Sequence, residues 1–136
     1  MWKTRTVFFL LLMLVVALLC TGCQFVQSAF ANTAGNAGAA LAAASTTLTY
    51  AHSGKITDAY AASSFINFQS ELDGLDQKLP STQGAPSGHA IQRLLDLYKT
   101  AIRAVDAPCL TASCDWRGQV AALDRASKAF LEASNS

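Results

Sequence analysis

The stretch "AFANTAGNAGAALAAASTTLTYAHSGK", residues 29–55, decides the fold class. Within it Phe30, Ala34, Ala37, Leu41, Ala44, Leu48 and Ala51 recur in alternating four- and three-residue steps, the spacing that lines one face of an α-helix. Alanine is the strongest helix former, and its small side chain lets a neighbouring helix approach closely. A small-residue stripe also serves dimerisation inside membranes. Asn32 and Asn36 mark this segment as water-facing, so close packing within the chain is the expectation. Gly54, in "HSGK", supplies the stop.

Three further segments carry the same imprint. Phe65, Phe68, Leu72, Leu75 and Leu79 form the second seam, with Ile56, Tyr60 and Ile66 beside it. Ile91, Leu95, Tyr98, Ile102 and Val105 form the third, flanked by Leu94; Trp116, Val120, Leu123, Ser127 and Phe130 form the fourth, flanked by Leu131. The punctuation is consistent: Thr57 and Asp58 lie near the second start, Pro80 is placed to end that helix, and Ser87 to cap the third. Pro108 ends the third helix and Asp115 caps the fourth. Four heptad-like seams joined by short loops predict an all-α chain, a small antiparallel four-helix bundle over residues 29–136.

Upstream, Lys3 and Arg5 are the only charges before Lys55, and an unbroken apolar run of thirteen residues extends from Val7 to Leu19. A charged start followed by a short apolar core has the layout of an export signal. Thirteen helical residues cover about 20 Å, short of a bilayer's roughly 30 Å hydrocarbon thickness. A spanning anchor would have to run on through Gly22 and Gln24 to Val26. The segment "LLCTGC" (residues 18–23) resembles the lipobox of bacterial lipoprotein precursors, with Thr21 and Gly22 as the small residues before Cys23. It departs from that pattern at Cys20, which stands where leucine is usual. The resemblance implies cleavage before Cys23, removal of residues 1–22, and acylation of the Cys23 sulfur with diacylglyceryl and palmitate-type chains. Residues 23–28 would then be the lipidated cysteine and a short tether. Two or more acyl chains suffice for stable attachment to a membrane. Because Gln24 is not the aspartate that favours inner-membrane retention, the resemblance implies the outer membrane in a diderm cell. An alternative is a secreted soluble protein cut after Ala31, since "SAFAN" (residues 28–32) offers an Ala-x-Ala site.

Of the four cysteines, Cys109 and Cys114 remain once Cys20 is discarded and Cys23 acylated. They flank a short polar loop, "DAPCLTASCDW" (residues 106–116), and in an oxidising compartment a disulfide closing it is expected. A metal clip would need further histidine or cysteine nearby, and none is close in sequence.

Composition narrows function mainly by exclusion. Of ten basic and nine acidic side chains, eight basic remain after loss of Lys3 and Arg5, a mature charge of −1 that gives nucleic-acid binding no support. His52 and His89 fall at opposite ends of the predicted bundle, each read as an exposed terminal residue, so they share no metal. Glu71, Asp73 and Asp76 alternate with seam leucines and read as a solvated face with Lys78 nearby, without the ligand pattern of a calcium loop. No nucleophile elbow, phosphate loop or zinc-protease helix is present. Neither a catalytic set nor a cofactor is expected.

The topology gives the bundle two distinct ends. The start of the first helix, the loop from Pro80 to Gly88 and the C-terminus share the end next to the tether. His52, Lys55 and the Cys109–Cys114 loop share the other. Trp116, which begins the fourth seam beside that loop, and Arg117 are, with His52 and Lys55, the candidate partner-binding residues; tryptophan and arginine are enriched at interface hot spots. The functional expectation is an envelope lipoprotein acting as a binding or scaffold module on an envelope protein. The rival is a carrier of an apolar small molecule or lipid in a cavity between alanine-rich helices.

Overall fold

A computed structural model describes residues 27–136; Cys23 and the segment preceding it lie outside the described residues. The described chain is all-α. Helices α1 (Ala29–His52), α2 (Asp58–Leu72), α4 (His89–Asp106) and α5 (Trp116–Ser134) are the four long elements, and between α2 and α4 lie one short turn, α3 (Leu75–Lys78), and a 3-10 turn, Leu79–Ser81. Neighbours pack as α1 on α2, α2 on α4, α4 on α5 and α5 back on α1, an up-down-up-down square.

Each boundary has a local cause. Ser28 accepts from the Ala31 N–H (3.1 Å) to start α1, Thr57 from Tyr60 (3.2 Å) to start α2, and Asp115 from Gly118 (2.9 Å) to start α5. Gly54, at φ +70°, supplies the left-handed residue that turns the chain out of α1. Two predicted boundaries are corrected. The second helix ends at Leu72, not at Pro80, because Gly74 takes φ +65°; α3 and the 3-10 turn then return Leu75 and Leu79 to the core. The N-cap of α4 is Gly88 at φ +63°, one residue beyond Ser87, with no side-chain cap.

The core follows the predicted seams closely in α1, where Phe30, Ala34, Ala37, Leu41, Ala44 and Leu48 are all buried. In α2 to the 3-10 turn Phe65, Leu72, Leu75 and Leu79 are buried, and Phe68 meets Phe65 edge to face at 5.6 Å. In α4 the stripe runs through Ile91, Leu94, Tyr98, Ala101 and Val105, leaving Leu95 and Ile102 half-buried. Alanine at 101 and 104 hid this rotation: small residues mark a stripe weakly in the sequence, yet both are buried.

The α1–α5 seam is the tightest. Gly38 lies against Leu131, where an added Cβ would come within 2.8 Å of Leu131 Cγ and 3.1 Å of its backbone N. Ser127 Oγ donates to the Gly38 carbonyl (2.8 Å), and one heptad along α1 the buried Ser45 donates to the Asp124 carboxylate (2.5 Å). One heptad further, His52 meets Trp116. The small-residue stripe is thus occupied by close packing within the chain.

Candidate functional site at the His52–Trp116 end

Four pieces of chain converge at this end: the last turn of α1, the turn at residues 53–57, the loop at residues 107–115 and the first turn of α5. The loop is stapled by the Cys109–Cys114 disulfide, with Cα atoms 5.8 Å apart. Cys109 is buried and Cys114 exposed. The Cys109 backbone is held on both sides: its N–H donates to Gln119 Oε1 (2.7 Å), and its carbonyl accepts from His52 Nε2 (2.6 Å). That bond puts a proton on Nε2, since a carbonyl only accepts. Gln119 Nε2 also donates to the Ala107 carbonyl (2.9 Å), satisfying a group that the end of α4 leaves open. The His52 ring stacks on Trp116 with centroids 4.4 Å apart and planes 8° from parallel.

His52, read from sequence as an exposed terminal residue, is instead half-buried and joins α1 to the stapled loop and to α5. The cause is the α1–α5 register, which brings the last helical residue of α1 opposite the first of α5. His89 is exposed at the other end. Trp116 is half-buried, covering the core beside the disulfide. Arg117 is exposed, its guanidinium carbon 5.1 Å from the Trp116 ring centroid, and Lys55 Nζ stands 4.7 Å over the Tyr50 ring. The structure therefore brings His52, Lys55, Trp116, Arg117 and the disulfide to one end.

Sequence reasoning missed Gln119, which carried no signal, and Tyr50, whose exposure beside Lys55 was foreseeable only from the turn at Gly54. Chemically this end offers two cations over aromatic faces and a rigid backbone. Among the described residues, no three His, Cys, Asp or Glu side chains lie close enough to hold a metal ion. Glu71, Asp73 and Asp76 are exposed, and Lys78 Nζ reaches the Asp73 backbone carbonyl (3.4 Å).

Fold and site together define an all-α, four-helix bundle with one disulfide-stapled end. Compared with known protein families, curated proteins and solved structures, the chain matches none. No described helix is long and apolar enough to cross a membrane.

Proposed function

We propose that the chain is an extracytoplasmic lipoprotein, held on a membrane through acylated Cys23, whose bundle serves as a small binding or scaffold module for another envelope protein. The observation that carries the extracytoplasmic part is the Cys109–Cys114 disulfide, a bond that persists in oxidising compartments and is rare in reducing ones. Cleavage at Cys23 is favoured over a cut after Ala31 by the start of α1: that cut would fall inside its first turn, removing the Ser28 cap and the buried Phe30. Partner contact is assigned to the stapled end. Its loop backbone is held at Cys109 and Ala107 by His52 and Gln119, so this end presents an ordered backbone before binding. The tight α1–α5 seam gives no such support to a carrier with its ligand between these helices.

Two measurements test the proposal. In cells fed a labelled fatty acid, the wild-type chain takes up label and fractionates with membranes, whereas Cys23→Ser does neither; retention of label by Cys23→Ser overturns the anchor. In crosslinking on intact cells, Lys55→Glu combined with Arg117→Glu abolishes a crosslinked species that Lys78→Glu leaves intact. A species indifferent to the double variant overturns the assignment of the stapled end.

A further inference from the structure

At the opposite end an open groove of about 930 Å³ runs between the starts of α1 and α4 and the last turns of α5. Phe30, Leu94, Ala129 and Ala133 line it, with Arg93 and Glu132 at its rim. The start of α1 is clasped in place beside it: the Phe30 N–H donates to the Gln83 carbonyl (3.0 Å), and Gly84, at φ +86°, approaches Ser28 so closely that an added Cβ would lie 2.8 Å from Ser28 Cβ.

We infer that this groove is the docking place of the chain's own Phe25–Val26 pair. Gln27, the first described residue, itself lines the groove, so the chain enters the described bundle there. At about 3.3–3.6 Å per residue, the Cα of Phe25 lies within roughly 7 Å of the Cα of Gln27. Phe25 and Val26 are the two apolar residues between Gln24 and Gln27. Covalent connection gives such a pair a local concentration in the millimolar range or above, which a diffusing ligand must exceed. The charged side chains that line the groove are one cation, Arg93, and one anion, Glu132, so its side chains offer no net positive charge to an anionic headgroup. Docking of the Phe25–Val26 pair would fix the chain just ahead of α1: Cys23 would leave the bundle two residues from a docked ring. The orientational consequence, a bundle standing base-down with its stapled end outward, rests on the anchoring proposed above; the docking itself does not.

The test is methyl NMR on the processed chain in phosphatidylcholine nanodiscs. Phe25→Ser is expected to shift the methyl signals of Leu94, Ala129 and Ala133, through loss of the ring's field, and to leave Leu48 and Leu123 where they are, showing that the fold is intact. Phe25→Leu should keep the protection of these groove methyls from a soluble paramagnetic agent while losing the ring-field shift. Unchanged groove methyls in Phe25→Ser overturn the docking. So do groove signals that follow lipid composition or protein concentration, which would assign the groove to lipid or to a second copy. The unprocessed Cys23→Ser chain must show the wild-type groove signals, because docking needs no acyl group. A lost membrane anchor and a lost docking contact are thus read separately.

Discussion

Tyr98 shows how much one side chain does here. Its hydroxyl donates to the Leu72 carbonyl (2.7 Å), a group set free where α2 breaks. Burial, followed by the charges of Asp76, Asp106 and Asp73, pushes its phenol up from 10.0 to about 12. The unfolded chain therefore releases this proton first as pH rises. The contribution to stability is whole below pH ~10 and is lost as pH climbs through about 12. Tyr98→Phe should lose about 1–2 kcal/mol at pH 7, from the stranded carbonyl. It should also show a shallower decline than wild type in denaturant unfolding between pH 10 and 12; equal declines would refute the assignment. Such contacts left no trace in the sequence. Tyr98, Gln69, Gln119 and His52 each reach a backbone carbonyl at a break or near a helix end, across 26, 36, 12 and 57 residues. Carbonyls carry no residue code, so no spacing rule marks their partners.

Elements, by contrast, were legible wherever the partner surface was periodic. The α1 seam was readable from Phe30 to Leu48 because its apolar residues recur at the heptad step; those six are buried, and Ala51, at the end of the seam, is half-buried. The α2 break was not, because the leucine spacing continues through it and "DG" (Asp73-Gly74) sits within an unbroken apolar rhythm. The α1–α5 register predicts opposite signs for two glycines one turn apart. At Gly35 an added Cβ meets only Ser134, at 3.5 Å, an ordinary contact, so Gly35→Ala should gain up to about 1 kcal/mol in helix propensity. At Gly38 the same methyl drives into Leu131 and its backbone, an overpacking cost of about 1–3 kcal/mol. Thermal unfolding should rank Gly35→Ala above wild type and Gly38→Ala below it. The stapled loop contributes separately. Closing so short a loop is worth about 2 kcal/mol in the chain-entropy account. Cys109→Ala with Cys114→Ala should lower stability by that amount in denaturant unfolding and leave the helical circular dichroism unchanged.

At the scale of the whole molecule, where the mature chain begins decides how well the bundle holds. Phe30 is only 4% exposed, packed at the base where α1, the loop after Pro80 and α4 meet, and Ser28 caps the helix that carries it. A chain beginning at Asn32 would lack both. Deleting a buried phenylalanine side chain costs about 3–5 kcal/mol, and loss of an N-cap about 1 kcal/mol more. Against a total stability on the order of 5–15 kcal/mol for a domain of this size, that is a large fraction. Side by side, a chain beginning at Gln24 should unfold in one cooperative transition, and one beginning at Asn32 at a markedly lower denaturant midpoint. The single variant Phe30→Ala within the longer chain should reproduce most of the difference, which separates loss of the anchor residue from loss of chain length. Equal midpoints for the two starts would mean that the base of the bundle does not depend on Phe30. An N-terminus generated after Ala31 would then be as compatible with this fold as one generated at Cys23.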